Sequence, residues 1–424
     1  MASIGGHDAP TEASTTNSGV HHVALSTKRR TVAIIGAGVG SLLAVSGCSA
    51  ISGALGADPV ITVSPEPQGA PAPASEPVTV KVEHGKLTDV AVKTGAGKRL
   101  VGSMNAEQTV WTSNADSLKY GTRYAVKAEA EGNSGKPTLY SESFKTVNPD
   151  QLVTAQFAYF SNGATVGVGM PGRIEFSSPV KNRAEVEKRL RITASNTVVG
   201  AWSWDKDRTA VTFRPETYWP AKTKVSIEAP LKGVELSPGT FGTNDLNGGF
   251  STGSAMILTV NAATHQLRVV RDGKLVRKIP VTTGKSGFET RSGIVPIMAK
   301  EGTVVMDAAS GGTPQGSSEY YRLTVNYSMR ITPSGEYLHA APWSEGSQGY
   351  ANTSHGCVGM STTNASWLFD YAKVGDVVVV KNTGRQQDLG NGITQWNVSW
   401  DKWLARSETG PQTIGPDGAS SAAA

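Results

Sequence analysis

The chain has 424 residues, of which 38% are hydrophobic and 18% are charged, and its formal net charge is +5. This composition excludes a chain that is disordered throughout, and the length is too great for a single hydrophobic core, so we expect about two to four domains. No basic run is interleaved with aromatic residues, which excludes the usual nucleic-acid-binding surfaces, and we expect no nucleic-acid partner.

Residues 1–48 have the features of an export signal. Lys28, Arg29 and Arg30 precede an apolar stretch at residues 31–45 that is too short and too rich in glycine for a comfortable membrane span. The stretch ends in Val-Ser-Gly-Cys48, which resembles the lipobox of bacterial lipoproteins. That resemblance implies a diacylated Cys48 and a lipid anchor on the outer face of the cytoplasmic membrane, facing the periplasmic space. An uncleaved anchor helix, or a plain signal cleaved nearby, is the alternative.

Residues 49–77 are rich in proline and alanine. Prolines recur among alanine, glycine and serine residues, as at Pro65, Pro67, Pro71, Pro73 and Pro77. A segment of this composition buries too little apolar surface to fold and behaves as a semi-rigid spacer. We therefore expect it to hold the following domains away from the membrane.

Two segments, residues 78–150 and 151–253, show short strands separated by glycine-rich turns. The predicted strands are 78–82, 87–92, 108–112, 123–129 and 143–147 in the first segment, and 165–168, 173–176, 201–204, 210–213 and 224–228 in the second. Strands at this spacing are typical of immunoglobulin-like β-sandwiches, and one short helix at 183–190 interrupts the second. One larger irregular β domain is the alternative. Neither segment shows a catalytic pattern, so we expect a spacing or docking role.

Residues 254–382 form a third domain that is mostly β with one main helix. Its predicted strands are 257–260, 266–271, 275–283, 293–299, 303–306, 323–327, 337–339 and 376–380, and its helix is 363–371. Residues 383–405 follow as a subdomain with Trp396, Trp400 and Trp403, which we expect to dock against the third domain, with a carbohydrate-binding face as the alternative. Residues 406–424 are predicted to be disordered. The fold class is therefore mainly β.

The second of the two cysteines, Cys357, lies in Ser354-His355-Gly356-Cys357. A thiol reacts as a nucleophile only when it is ionised, so it needs a base or a cation nearby. His355 could contact Cys357 directly, because residues two apart share a face of an extended segment. His339, eighteen residues upstream, could reach Cys357 from a neighbouring strand. The pattern predicts a nucleophilic cysteine with one of these two histidines as its base.

The motif Ser354-His355-Gly356-Cys357 after an upstream Leu338-His339 resembles the L,D-transpeptidase (YkuD-type) catalytic domain over residues 255–381. The order of lipobox, two immunoglobulin-like modules, this domain and a tryptophan-rich tail is similar to that of mycobacterial L,D-transpeptidases. The resemblance implies a cysteine acyltransferase that makes 3-3 crosslinks between peptidoglycan tetrapeptide stems, which serve as donor and acceptor, and releases D-Ala. It also implies covalent inhibition by carbapenems. Neither a cofactor nor a metal site is predicted.

The resemblance further implies the role of individual residues. Cys357 is the nucleophile, His339 the general base and His355 an orienting residue, while the backbone N–H of Cys357, with Gly356 allowing close approach, supplies the oxyanion hole. The residues expected to contact the substrate are Met306 and Tyr321 of the flap over the pocket, Ser334, Gly335, Trp343, Ser354 and Gly359.

Two positions depart from the family pattern, and two other functions remain open. Gly359 stands where relatives commonly have Arg or Asn, and Ala340 where they often have Ser. Neither departure removes the nucleophile or the base. If water accepts the acyl group, the enzyme is an L,D-carboxypeptidase. If the thiol is inactive, the protein is a lipid-anchored scaffold that binds the cell wall.

Overall fold

The computed structural model describes residues 57–115, 117–133 and 135–421. The predicted signal segment, including Cys48, and the start of the predicted spacer lie outside the described residues. Within the described part, no helix is both long enough and apolar enough to cross a membrane. The same part is dominated by strands and has three α-helices, which confirms the predicted mainly β fold class.

The first module is a β-sandwich of seven strands. They are β1 (Val60–Ser64), β2 (Thr79–Glu83), β3 (Lys86–Thr94), β4 (Gly102–Met104), β5 (Val110–Ser113), β6 (Arg123–Glu131) and β7 (Pro137–Lys145). One sheet has the order β1-β2-β5-β4 and the other the order β3-β6-β7. Alternate side chains of both sheets point inward, as in β6, and meet in a core with Val80, Trp111 and Tyr124.

The first module begins earlier than predicted, so the prediction of an unfolded spacer is wrong from residue 60 onward. Strand β1 pairs antiparallel with β2, from Val60 opposite Glu83 to Ser64 opposite Thr79. Ala72 and Ala74 lie in the core, and Ala72 exchanges backbone hydrogen bonds with Lys145 and Val147. The small alanine side chains fit into the core, and residues at the end of β7 and just after it supply the backbone hydrogen bonds. The composition of the segment alone did not indicate either contact.

The second module is a further sandwich, and its core differs from that of the first module. Its elements are β8 (Gln151–Val153), β9 (Ala155–Ala158), β10 (Thr165–Val166), β11 (Gly172–Phe176), α1 (Arg183–Arg189), β12 (Arg191–Ala194), β13 (Val198–Trp204), β14 (Ala210–Pro215), β15 (Lys224–Ala229), β16 (Glu235–Ser237), β17 (Thr240–Gly242) and β18 (Leu246–Thr252). Large aromatic side chains, including Trp202, Phe213, Trp219 and Phe250, fill its core. The two modules have separate cores, as expected for two modules rather than one larger domain.

The third domain contains two sheets and one main helix, as predicted. Its elements are β19 (Met256–Asn261), β20 (Gln266–Arg271), β21 (Lys274–Pro280), β22 (Arg291–Ile294), β23 (Ala299–Asp307), β24 (Arg322–Arg330), β25 (Tyr337–Ala340), β26 (Val358–Met360), α2 (Thr362–Tyr371), β27 (Val377–Lys381) and β28 (Arg385–Gln386), with 3₁₀-helices at Ala308–Gly311 and Pro342–Ser344. The sheet orders are β21-β20-β19-β27-β22-β28 and β23-β24-β25-β26. Helix α2 is capped by Ser361 and buries Ala365 and Leu368 in the shared core.

The C-terminal segment is ordered to residue 421, so the prediction of disorder after residue 405 is wrong for this segment. It has a 3₁₀-helix at Gln395–Asn397, α3 (Trp400–Leu404), β29 (Gln412–Gly415) and β30 (Gly418–Ser421). Strand β29 pairs with β13 and extends a sheet of the second module to the order β30-β29-β13-β14-β11-β9. The buried carboxylate of Glu187 accepts hydrogen bonds from Ser407, Glu408 and Thr409, which fixes the segment before β29.

The tryptophans of this tail pack against the second module rather than the third domain, contrary to expectation. The indole N–H of Trp396 donates to the Gly169 carbonyl at 2.8 Å, and that of Trp403 donates to the Ala201 carbonyl at 3.0 Å. The buried guanidinium of Arg214 lies over the rings of Trp396, Trp400 and Trp403 at 5.1, 5.2 and 4.7 Å. These contacts anchor the tail on the second module.

The second module and the third domain are joined by close backbone contacts. Gly167 N donates to Val374 O at 2.8 Å, and Gly169 N donates to Gly375 O at 2.9 Å. A Cβ atom on Gly167 would lie 2.0 Å from the backbone nitrogen of Asp376, so only glycine fits there. The tail adds a further link, because the Asn397 side chain bonds both backbone groups of Ile294.

Candidate active site

Two adjacent parallel strands bring Cys357 and His339 to one cleft. In the register of β25 and β26, Leu338 lies opposite Val358 and His339 lies opposite Gly359, while Cys357 directly precedes β26. The Cys357 and His339 side chains both line a cleft of about 380 Å³. The structure therefore places the predicted nucleophile and the predicted base together.

The Cys357 thiol is buried and protonated at rest. Its exposed fraction is 7%, and its Sγ donates to the Gly335 carbonyl at 3.6 Å. Burial raises the pKa of Cys357 to about 12, and the nearby carboxylate of Glu336 acts in the same direction. In the described part of the structure, this thiol is hydrogen-bonded to Gly335 and to neither imidazole. A base is needed to form the thiolate.

His339 is a buried imidazole with a fixed tautomer. Its Nδ1 is 2.7 Å from the Ala340 carbonyl oxygen, and because a carbonyl only accepts, Nδ1 carries the proton and Nε2 keeps its lone pair. Burial lowers the pKa of His339, which favours the neutral ring. The Trp343 ring stacks on it with a centroid distance of 6.0 Å. A neutral imidazole with a free Nε2 has the form that a general base requires.

The other candidate base, His355, is tied into a charged cluster. Its Nε2 lies 2.7 Å from Glu319 Oε2, and the same oxygen accepts a hydrogen bond from Lys285 Nζ at 2.5 Å. The rings of Phe288 and Tyr321 pack on it at centroid distances of 4.5 and 4.9 Å. Of the two possibilities left open by the sequence, this geometry fits the orienting role for His355.

Sequence reasoning missed Glu319 and Lys285. The hydrogen bonds from Lys285 and then His355 hold the pKa of the Glu319 carboxyl below its usual range, so the cluster contains a carboxylate. The two residues are 34 positions apart in the chain. Each has an ordinary charged side chain in a stretch without periodicity. Their role becomes visible only in the structure, where both side chains contact the same cluster at His355.

Most of the predicted substrate-contacting residues line the same cleft as the nucleophile. The cleft is lined by Met306, Tyr321, His339, Trp343, Ser354, His355, Cys357 and Gly359, together with Thr282, Leu323, Ala341, Ser344, Ser347 and Thr353, which the sequence did not indicate. Ser334 and Gly335 instead line a second cavity of about 620 Å³. Met306, Tyr321 and His355 line both cavities and so form the wall between them. Burial raises the pKa of Tyr321 to about 12, which keeps its hydroxyl protonated.

The loop before Cys357 is shaped by hydrogen bonds of Ser354. The Ser354 hydroxyl donates to the Cys357 carbonyl at 2.6 Å and accepts the Gly356 N–H at 3.1 Å. Gly356 has a φ of 122°, a conformation that L side chains rarely adopt, and its carbonyl accepts a hydrogen bond from the Thr290 hydroxyl. Gly356 lines neither cavity, so its part is to set the backbone that leads into Cys357. Ser354 fixes this loop as well as lining the cleft.

The two departures from the family pattern leave the nucleophile and the base in place. At Gly359, a Cβ atom would lie 2.9 Å from Ala341 Cβ and 3.0 Å from Thr282 Cγ2, so a larger residue would require those neighbours to move. At Ala340, the backbone carbonyl rather than the side chain orients His339. Among the described residues, no group of three or more His, Cys, Asp and Glu side chains could hold a metal ion.

Comparison with known proteins is consistent with this site. A bacterial Ig domain model matches residues 70–235, and an L,D-transpeptidase catalytic domain model matches residues 255–380. The chain is 35% identical over 330 residues to L,D-transpeptidase 2 of Mycobacterium tuberculosis, and this alignment covers 78% of this chain and 80% of the relative. It is 31% identical over 365 residues to L,D-transpeptidase 5 of the same species, covering 84% of this chain and 79% of the relative.

A solved structure also matches part of the chain. The structure of LD transpeptidase LdtMt1 in complex with imipenem is 40% identical in sequence and covers 55% of this chain and 100% of that one, with a TM-score of 0.47. The match to the catalytic domain and the match to a relative over four fifths of its length agree on the same family. This chain belongs to the L,D-transpeptidase family of enzymes.

Proposed function

We propose that this enzyme joins two peptidoglycan stem peptides through a thioester on Cys357, forming 3-3 crosslinks and releasing D-Ala. Family membership supports the reaction class. One observation carries the mechanism, namely that the buried thiol of Cys357 and the neutral imidazole of His339 line the same cleft from adjacent strands.

In the acylation step, Nε2 of His339 takes the proton from Sγ, after the thiol rotates from the Gly335 carbonyl towards the imidazole. The thiolate attacks the carbonyl that links the third residue of the donor tetrapeptide to its terminal D-Ala. The backbone N–H of Cys357 and the Tyr321 hydroxyl stabilise the oxyanion. His339 then gives its proton to the nitrogen of D-Ala, the C–N bond breaks, and a thioester remains on Cys357.

In the transfer step, the side-chain amine of the third residue of a second stem attacks the thioester carbonyl. His339 accepts a proton from the amine and returns it to Sγ, so that a new amide and a free thiol result. The two cavities separated by Met306, Tyr321 and His355 support entry of donor and acceptor from different sides of this wall.

The test is the mass of the intact protein after incubation with imipenem, a carbapenem that is bound in the structure of a relative. We expect one covalent adduct on the wild type and none on Cys357→Ala. The variant His339→Ala should be acylated more slowly by about 10²-fold or more, whereas His355→Ala should slow acylation less. Equal and mild effects of both histidine variants would contradict the assignment of the base, and a wild type without adduct would support the wall-binding scaffold instead.

Purified tetrapeptide stems distinguish transfer from hydrolysis. Crosslinked dimers together with free D-Ala are expected from the transpeptidase. Free D-Ala with tripeptide alone would identify an L,D-carboxypeptidase that uses water as its acceptor.

We also propose that the enzyme is exported and anchored by a lipid on Cys48. The basic residues Lys28, Arg29 and Arg30, the apolar stretch that follows and the lipobox-like ending support this, as does a substrate outside the cytoplasmic membrane. In cells, Cys48→Ser should move the protein from the membrane fraction to the soluble fraction. Unchanged membrane association of that variant would favour an uncleaved anchor helix.

A further inference from the structure

The cluster of Lys285, Glu319 and His355 connects three separate segments beside the nucleophile. Lys285 follows β21, and His355 precedes Cys357 by two residues. Glu319 belongs to the flap, residues 306–321, which comprises the end of β23 and the connection from β23 to β24. The mechanism proposed above gives this carboxylate no part, although it lies next to residues that line the cleft.

Glu319 holds the flap to two groups that are already fixed relative to each other. The backbone N–H of Lys285 donates to the Ser354 carbonyl at 2.9 Å, which ties the Lys285 segment to the residue before His355. Both side chains then donate to one oxygen of Glu319, at 2.5 Å from Lys285 and 2.7 Å from His355. At its base, the flap is closed by a hydrogen bond from Ala308 N to Tyr321 O. Glu319 is thus the second point at which the flap is held.

The same carboxylate controls two of the three residues that form the wall between the cavities. His355 is oriented by its hydrogen bond to Glu319, and the Tyr321 ring, two residues after Glu319, packs on His355 at 4.9 Å. Phe288 supports the imidazole at 4.5 Å. If the Glu319 carboxylate is neutralised, both donors lose their charged acceptor, and the hydroxyl of Tyr321 loses its fixed position over the cleft.

We propose that Glu319 is a positioning residue for the acylation of Cys357. It holds the flap against Lys285 and His355, so that Tyr321 and His355 keep the orientation in which acylation proceeds. This inference rests on the proposed function, because it concerns the same thiol. Glu319 acts through its neighbours, since neither cavity lining includes it.

The charge pair itself contributes little to the stability of the fold. The side chains of Lys285 and Glu319 are 33% and 37% exposed, and ion pairs with this exposure are screened by water and salt. Loss of the carboxylate should therefore change the rate of acylation while leaving the thermal midpoint nearly unchanged. A residue with a merely structural role would show the opposite result.

The experiment compares Glu319→Gln in the full-length protein with a matched control, Glu175→Gln. Glu175 has the same 37% side-chain exposure and pairs with Arg173 at 2.9 Å, but it lies in the second module. Acylation by imipenem is followed over a range of concentrations, which separates the rate constant at saturation from the half-saturating concentration. We expect the rate constant of Glu319→Gln to fall about fivefold, as for one weakened hydrogen bond between charged groups, and the control to match the wild type.

A second variant tests the route of the effect. Lys285→Gln should also slow acylation, and the double variant should be no slower than the slower single variant, because both remove one shared interaction. A Glu319→Gln rate constant within about twofold of the wild type would overturn the inference. It would also be overturned if the rate reductions of the two single variants multiplied in the double variant. A slower rate that is accompanied by a lower thermal midpoint would overturn it as well. If the wild type itself forms no adduct, the proposed function fails. If the wild type reacts and Glu319→Gln reacts equally fast, only this inference fails.

Discussion

Asp376 is a buried acid whose ionisation should oppose folding at neutral pH. It is 2% exposed and directly precedes β27, at the contact between the second module and the third domain. Burial raises its pKa from 3.8 to about 7, while a hydrogen bond from the Lys373 N–H and the charges of Lys373 and Lys300 act in the other direction. The folded protein therefore keeps this proton at pH values at which the unfolded chain has released it.

The sign of the effect follows from the raised pKa. Between pH 3.8 and about pH 7 the folded state binds more protons at Asp376 than the unfolded state does, so the free energy of unfolding falls as pH rises and levels off above about pH 7. The shift of about 3 pKa units corresponds to about 4 kcal/mol over the whole window, at about 1.4 kcal/mol per unit. Asn cannot ionise, so Asp376→Asn removes this loss.

The assay is the thermal midpoint of the full-length protein between pH 5 and pH 8, for the wild type and Asp376→Asn. Over the two units from pH 5 to pH 7 the wild type should lose roughly 2 kcal/mol relative to the variant. For a domain of about 130 residues, this loss lowers the thermal midpoint by roughly 5 to 10 °C. The exposed Asp370, at the end of α2, provides the control, and Asp370→Asn should follow the wild type at every pH. A gap between the wild type and Asp376→Asn that stays constant from pH 5 to pH 8 would show that Asp376 does not titrate with a raised pKa in the folded protein.

Two further predictions concern how the modules are held together. Gly167→Ala would place a Cβ 2.0 Å from the Asp376 nitrogen. We therefore expect a thermal midpoint lower by several degrees and faster proteolysis where the second module contacts the third domain. An unchanged midpoint would show that the backbone at this contact can move to accommodate the methyl group. Arg214→Met removes the cation that lies over three indole rings, and it removes a 2.9 Å hydrogen bond to Val398 O. We expect the free energy of unfolding to fall by about 2 kcal/mol, measured by denaturant unfolding followed by tryptophan fluorescence. The rate of Cys357 acylation should not change.

Several strands with one buried face were predictable, although β12, whose buried side chains also alternate, was missed. β20 was predicted with its observed bounds of Gln266–Arg271, and β6 within two residues, because alternation of buried and exposed side chains appears directly in the sequence. The region around Ala72 was not predictable in this way, because its partner strands lie far along the chain. Glu187 and Thr409, which fix the C-terminal tail, are 222 residues apart and have no sequence pattern in common.

The site was predictable where its chemistry lies within one short motif. His339 and Cys357 carry rare reactive side chains, and the strands that hold them are adjacent and parallel, so a local pattern was enough. Lys285 and Glu319 carry common charges, and the function of each depends on a tertiary contact with His355. Ser334 and Gly335 were predicted to contact the substrate, but they line the second cavity. The residues that separate the two cavities come from distant parts of the chain, so the sequence did not show this separation.

The burial of both reacting groups determines when the thiolate forms. Because burial raises the pKa of Cys357 to about 12 and lowers the pKa of His339, the neutral pair is favoured before substrate arrives. A free thiolate in the empty cleft would be a buried charge without compensation. Proton transfer to His339 is therefore most favourable as Sγ begins to bond to the carbonyl carbon of the substrate. The negative charge then moves to the carbonyl oxygen, which the backbone N–H of Cys357 and the Tyr321 hydroxyl can stabilise. On this reasoning, the groups that orient Tyr321 over the cleft also determine how readily Cys357 is ionised.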